Sequence, residues 1–488
     1  MAVRPSGPSR AWATRPAALA GLLASALALA ACGGGGGGGA TPPAQVPSLT
    51  NADLHRCKSG PTPRSFRCGE IWVPFEREDP SLGKTRIGFA VVPHSDRSQP
   101  GLGAIFAVEG GPGYASSWTV RSYVKLFGSL LDRRDLVLVD QRGTGRSVPL
   151  QCPDLQFGRA PDWIAFPACA SKLGPRFSSY RTSASADDID DVRRALGFDR
   201  ITLYGDSYGT FLAQSYAFRH PDTLNALVLD SAYPVMGESA WYPSLITTGV
   251  RSMVIACRRS PECHGNARRR LGKLVVWLRA RHRGVGALVD ALAVAGNSPP
   301  ESYLQIDRAG TALRHGDATP YKRLIAEAKL GYGHIRHFNL TQEDVVSCND
   351  YPLLWNKDAS EAERRAELER KVRDYRNAAA FAPFKPREVA LSSETLYQYC
   401  LEAPRPSSLY EPPVAPGEQP TKAPVLIVSG ELDDVTTPYE GRLVAKEFPD
   451  SRQFVARGAG HVADLYDGSS PPAVRTRRFL RQALDHNG

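Results

Sequence analysis

The sequence contains no Cys-x-x-Cys pair and no His/Cys cluster at metal-ligand spacing, so the common structural zinc sites are excluded and no metal is expected. It also lacks any cluster of basic residues interleaved with aromatics. The formal charge of +10, from 60 Lys+Arg and 50 Asp+Glu, therefore reads as a solvated basic surface, and no nucleic-acid partner is expected. No internal repeat is visible, which argues against a solenoid. A mature membrane-spanning helix needs about 20 apolar residues, and the run of small and apolar residues at 17–31 is too short for one. What is present is ordinary globular composition. The chain has 488 residues, 42% hydrophobic and 23% charged. That length suits one large domain with an insertion, or two to three ordinary domains.

Residues 1–31 read as an export signal, with Arg4, Arg10 and Arg15 preceding the apolar run. The run ends Leu29-Ala30-Ala31-Cys32, which resembles a bacterial lipobox and makes Cys32 the expected lipidated first residue of the mature chain. A glycine run at 33–39 and a Pro-rich stretch follow. Residues 32–48 are thus expected to form a lipidated, flexible tether that lets a globular domain stand off the membrane, placing the protein in the cell envelope. The remaining eight cysteines are 57, 68, 152, 169, 257, 263, 348 and 400, an even number that in an exported chain reads as disulfides. Sequence neighbours suggest 57–68, 152–169, 257–263 and 348–400, although eight cysteines admit many pairings.

Segments 71–75 and 86–92 read as an opening antiparallel hairpin. Short, wholly apolar strands follow at 104–108, 136–139, 201–204, 226–229 and 425–428, with a last one at 453–456. Between them lie amphipathic helical stretches at 185–197 and 210–219, and a basic helix begins near 472. Apolar strands alternating with helices predict a mostly parallel central sheet covered on both faces. Residues 234–420 break the alternation with long charged helical stretches such as 360–377. The expected organisation is an α/β core at 49–233 and 421–488, interrupted by a helical cap insertion at 234–420.

The chemistry concentrates at the strand ends. Gly205-Asp206-Ser207-Tyr208-Gly209 follows one strand and opens a helix, the context in which G-x-S-x-G forms a nucleophile elbow. The turn is so tight that glycine is required two residues before and two after the serine. A serine needs a base, and the base needs an orienting acid. Of the histidines that follow, His461 alone sits in a Gly-rich loop after a late strand. The acid is expected after the penultimate strand, where Asp433 is favoured, Asp434 is its neighbouring competitor and Asp230 a more distant one. The oxyanion donors are expected to be the N–H groups of Tyr208 and of Gly111 in the loop Glu109-Gly110-Gly111-Pro112-Gly113.

Together, EGGPG at 109–113, DQRGTGRS at 140–147, GDSYG at 205–209, GELDDVTTP at 430–438 and GAGH at 458–461 resemble the α/β-hydrolase family of proline iminopeptidases and secreted tripeptidyl aminopeptidases. The resemblance implies an α/β-hydrolase fold with a helical cap, and Ser207, Asp433 and His461 as nucleophile, acid and base. It implies Gly111 and Tyr208 as oxyanion donors, no cofactor, and exopeptidase action on a peptide with a free N-terminus. One departure stands out. The family commonly has His or Pro before GGPG, and this chain has Glu109.

An aminopeptidase must hold an ammonium group, which carboxylates do through charge-assisted hydrogen bonds. Glu109 and Asp350 are the two candidates, and Arg142 reads as a structural anchor of its loop. Fold does not settle substrate. A carboxylic ester hydrolase is the alternative on the same scaffold, and a non-catalytic binding lipoprotein is a third.

Overall fold

The computed structural model describes residues 53–57, 66–236, 243–297, 300–330, 338–390, 392, 398–462, 465 and 467–485. The export signal, Cys32 and the tether lie outside the described residues.

Among the described residues nine strands form one sheet: β1 (His55–Arg56), β2 (Arg67–Pro74), β3 (Lys84–Val92), β4 (Ala104–Val108), β5 (Asp135–Val139), β6 (Ile201–Asp206), β7 (Leu224–Asp230), β8 (Val425–Gly430) and β9 (Ser451–Ala456). Their order is β1-β2-β3-β5-β4-β6-β7-β8-β9. The first three strands and the β3/β5 pair are antiparallel, and every other pairing is parallel. This is the mostly parallel sheet that the alternation of apolar strands and helices predicts, in the α/β-hydrolase arrangement that the resemblance implies.

The parallel strands are buried on both faces, and their side chains divide with a period of two. Phe106, Val108, Leu203, Leu227, Leu229, Val425 and Ile427 pack on one face, beneath the helices Thr182–Ala195 and Tyr208–Arg219. Ile105, Ala107, Tyr204, Val228, Leu426 and Val428 pack on the other, against the helices Val120–Phe127 and Pro471–Asp485. A third core, including Met253, Leu274, Val289, Ile306 and Phe381, lies among the helices of the interrupting segment. Among the described residues of 234–420 the regular elements are helices. Four disulfides join Cys57–Cys68, Cys152–Cys169, Cys257–Cys263 and Cys348–Cys400.

Two local features differ from the sequence reading. The helix expected over 185–197 runs Thr182–Ala195, and its N-cap residue, Arg181, makes no side-chain cap bond. The buried N–H of Thr182, which has no intrahelical acceptor, is instead met by Asp350 Oδ2 at 2.5 Å, a residue 168 positions away. The cap is tertiary, so local sequence carries no trace of it. The helix Val120–Phe127 was not expected either. Eight residues with an N-cap that makes no side-chain bond give a weak local signal.

Arg142 is fully buried and binds four groups, Asp188 and the carbonyls of Phe75, Ser179 and Ala184. Its Nε and Nη2 grip Asp188 at 2.8 and 2.7 Å, and Nη1 donates to the carbonyls of Phe75 and Ser179 at 2.9 and 2.8 Å. One guanidinium thereby ties the loop after β5 to the opening hairpin and to the helix Thr182–Ala195. Arg142→Met is expected to lower the unfolding free energy by about 3 kcal/mol, the low end for breaking a buried pair, because Asp188 loses its buried partner and keeps the partly exposed Arg77 at 3.1 Å. Urea unfolding followed by circular dichroism reads this, and a loss below about 1 kcal/mol would place the pair in the class of surface bridges instead.

Candidate active site

Strand β6 ends at Asp206 and the helix Tyr208–Arg219 begins two residues later, leaving Ser207 to turn the chain. Ser207 sits at φ 50°, ψ −124°, a left-handed conformation that L-residues occupy at a cost. The flanking glycines are forced by contact. A Cβ on Gly205 would lie 2.2 Å from the Gly209 carbonyl oxygen, and one on Gly209 would lie 2.3 Å from that of Val108. The elbow thus closes only when both positions lack a side chain.

The β8 and β9 exits bring up the partners. His461 Nε2 is 2.9 Å from Ser207 Oγ, and His461 Nδ1 is 3.0 Å from Asp433 Oδ2. Asp433 is fully buried and accepts from the N–H groups of Val435 and Thr436 at 3.0 and 2.9 Å. The Thr436 hydroxyl donates to Asp433 Oδ2 at 2.9 Å and lies 3.2 Å from His461 Nδ1. With that hydroxyl proton committed to the carboxylate, the arrangement assigns the imidazole proton to Nδ1 and leaves Nε2 to accept from Ser207.

The histidine loop is pinned from three directions. His461 N–H donates to Gly296 O at 3.0 Å, at the end of an insertion helix, and Val462 N–H donates to Ser231 Oγ at 2.7 Å. Leu432 N–H reaches across to Ala459 O at 2.8 Å, joining the acid and histidine loops. A Cβ at Gly430 would meet Gly460 O at 2.0 Å, so this approach also depends on glycine. Thr436, Ser231 and Gly296 were not singled out from sequence. Thr436 stood in the GELDDVTTP string, but Ser231 and Gly296 carry no local motif.

The EGGPG loop lies against the nucleophile. A Cβ at Gly110 would be 2.7 Å from Ser207 Cβ and 3.3 Å from its Oγ. Gly111 follows at φ 107°, and Asn339 N–H holds the loop through Gly113 O at 2.9 Å. Tyr208 opens its helix, so its N–H is among the four that have no intrahelical acceptor. The Tyr208 hydroxyl is 2.9 Å from Thr182 Oγ1, and that hydroxyl donates to Asp350 Oδ2 at 2.6 Å.

The two carboxylates expected to receive a substrate ammonium are hydrogen-bonded within the protein. Asp350 is buried, and its oxygens accept from Thr182 and, at 3.1 Å, from the Tyr410 hydroxyl. Glu109 is buried with Oε2 2.9 Å from the Tyr123 hydroxyl. Burial pushes the Glu109 carboxyl up to about 7, against hydrogen bonds from Thr119 and Tyr123 that favour its charge. Asp230, fully buried at the end of β7, makes its backbone bond to Ser207 N–H at 2.9 Å.

Asp434 has a different setting, hydrogen-bonded by Tyr303. It is buried between two insertion helices, where a Cβ on Gly249 would lie 2.3 Å from one oxygen and a Cβ on Gly296 would collide with the other. Burial first, and the neighbouring Asp433 charge second, raise its carboxyl well above the ordinary range.

A family model described as alpha/beta hydrolase fold matches residues 103–466. The chain is 27% identical over 202 residues to a tripeptidyl aminopeptidase of Streptomyces coelicolor, covering 37% of each chain. It is 27% identical over 197 residues to the serine protease Hip1 of Mycobacterium tuberculosis, covering 35% of this chain and 36% of that protein. Over 142 residues it is 30% identical to a proline iminopeptidase of Neisseria gonorrhoeae, covering 29% of this chain and 36% of that protein. The matches thus span little more than a third of the length of these relatives.

The raised Asp434 carboxyl has a stability consequence. Its folded-state pKa lies above the unfolded value, so its favourable contribution is complete below the ordinary carboxylate range and is lost as pH rises. Asp434→Asn removes that dependence. Relative to wild type, the variant is expected to gain stability steadily from acid to neutral pH in thermal unfolding. A difference constant across pH would show that the carboxyl does not titrate there.

Proposed function

The chain belongs to the alpha/beta hydrolase fold family, and on that premise we propose that it is a serine aminopeptidase acting on peptides with a free N-terminus. The observation that carries the hydrolase part is the line Ser207 Oγ to His461 Nε2 at 2.9 Å and His461 Nδ1 to Asp433 at 3.0 Å. The aminopeptidase part draws support from the names of the relatives and from the EGGPG and DQRGTGRS strings.

In this reading His461 Nε2 takes the Ser207 proton as Oγ attacks the substrate carbonyl. Asp433 keeps the imidazole in its tautomer and stabilises the imidazolium without taking a proton. The N–H groups of Tyr208 and Gly111 receive the developing oxyanion, where one donor contributes about 2.7–4 kcal/mol to lowering the barrier. Imidazolium returns the proton to the departing amine, and a water repeats the sequence on the acyl-enzyme. Ser207 and His461 are both partly exposed while Asp433 is fully buried, so the nucleophile and its base are reachable and the orienting carboxylate is kept from water.

Export and a lipid anchor at Cys32 belong to the same proposal. The lipobox-like ending and the four disulfides support them, since structural disulfides persist in oxidising compartments. With Glu109 and Asp350 engaged inside the protein, the ammonium-binding group is unassigned, and ester hydrolysis is the reading to set against this one.

The test is a matched set of prolyl, alanyl and tripeptidyl amides, their N-acetylated forms and short acyl esters. Cleavage of the free amides, with acetylation abolishing it, is expected. Ser207→Ala is expected to lower kcat by on the order of 10⁶-fold and Asp433→Asn by on the order of 10⁴-fold. Equal turnover of blocked and free amides contradicts the aminopeptidase reading, and ester cleavage alone moves the protein to the alternative.

A further inference from the structure

The departure at Glu109 leads to a second buried group of acids beneath the site. The hydroxyl of Tyr123 lies 2.9 Å from Glu109 Oε2 and 2.8 Å from Asp206 Oδ1. All three residues are buried: Glu109 is 5% exposed, Asp206 2% and Tyr123 0%. A phenol has one proton to donate. If both carboxyls were ionised, one of these short oxygen–oxygen contacts would contain no proton of its own, and two charges would face one hydroxyl in a medium where burial is costly. The contacts are balanced when the Tyr123 hydroxyl donates to Asp206 and a protonated Glu109 donates to the Tyr123 oxygen.

The geometry points to Glu109, Tyr123 and Asp206 as a proton-sharing bridge that holds the two halves of the oxyanion site at their working separation. Glu109 immediately precedes Gly110 and Gly111, and Asp206 immediately precedes Ser207 and Tyr208. The bridge therefore ties the backbone that carries one proposed oxyanion donor to the backbone that carries the other. Its middle member cannot swing, because the Tyr123 ring is stacked on Phe127 and set edge-on to Tyr204. The ends are held as well. Glu109 N–H donates to Ser116 Oγ at 3.0 Å, and Gln141 Nε2 donates to Glu109 O at 2.9 Å.

The surroundings favour one negative charge here over two. Thr119, at the start of the Tyr123 helix, hydrogen-bonds the Glu109 carboxyl. Asp140, just after β5, faces it with like charge, and itself accepts from Ser117 and from the N–H of Arg146, with the Arg146 charge nearby. Tyr114, from the oxyanion loop, is pushed up to about 12 by burial and by Glu109, Glu343 and Asp206. Burial moves Glu109 up to about 7, so the shared proton is present in mild acid and lost as pH rises through neutrality. Its loss sets two carboxylates in opposition and adds negative charge beneath a developing oxyanion, which raises the barrier.

This inference rests on the serine hydrolase reading for its kinetic consequence, and its structural claim is measured without substrate. Infrared difference spectra of the full chain near pH 6 are expected to show a carboxylic acid C=O band that disappears in Glu109→Gln. Retention of every such band in Glu109→Gln, or loss only in Asp206→Asn, overturns the placement of the proton. With an amide substrate, wild-type kcat is expected to fall on the alkaline side, and Glu109→Gln, whose amide donates permanently, is expected to lose that fall. An unchanged alkaline limb in Glu109→Gln overturns the kinetic role. Tyr123→Phe removes the bridge and keeps both acids. It is expected to lower kcat by about 10- to 100-fold, the effect of a small misplacement, with KM within about twofold. Should Glu109→Gln not fold, an unaltered kcat in Tyr123→Phe overturns the proposal by itself. Absence of hydrolysis in the wild type would instead strike the parent reading and leave the infrared result standing.

Discussion

A backbone that cannot close around a side chain governs this structure. Ser207 is driven to a positive φ by a turn packed so closely that Gly205 touches Gly209 and Gly209 touches Val108. A Cβ at either position would open the turn. The same condition recurs at Gly110, which abuts Ser207, and at Gly430, which abuts Gly460. These approaches bring the ends of β4, β6 and β8 and the loop after β9 to one point. The reactive groups then need only short loops to meet, and the sheet supplies their rigidity.

Around that point the protein spends many polar groups on position. Thr436 and two N–H groups fix Asp433, while Ser231 and Gly296 hold the histidine loop. Asp350 reaches from the insertion to cap the helix Thr182–Ala195, and through Thr182 it touches the Tyr208 hydroxyl. The insertion is therefore wired into the core at the nucleophile and at the base. Arg142 performs a similar task farther out, joining three segments with one buried cation. Arg142 and Asp188 are buried charges that pair with each other, whereas Glu109 and Asp434, hydrogen-bonded to neutral hydroxyls, have carboxyls raised by burial.

The parts legible in the sequence share a feature: each is local. The strand at 104–108 is five consecutive apolar residues, and it appears as β4 with the same bounds. The elbow is a five-residue string, and the acid and histidine loops are marked by their glycines. Asp433 was separable from Asp434 only by its place in a turn, and the structure separates them by setting, one bonded to His461 and one between Gly249 and Gly296. What sequence missed depends on distant contacts. The helix Thr182–Ala195 starts early because Asp350 caps it, and Glu109 points inward because Tyr123, on an unanticipated helix, stands behind it. A carboxylate beside a catalytic loop reads as a ligand group until the hydroxyl that occupies it is known.

The central claim is that Ser207 is a nucleophile activated by His461. A fluorophosphonate probe, followed by digestion and mass spectrometry of the adduct, tests it directly without assuming a substrate. The account predicts covalent labelling at Ser207 that His461→Ala suppresses. Labelling at another serine, or no labelling of a folded wild-type protein, would contradict it and return the chain to a binding role on a hydrolase scaffold.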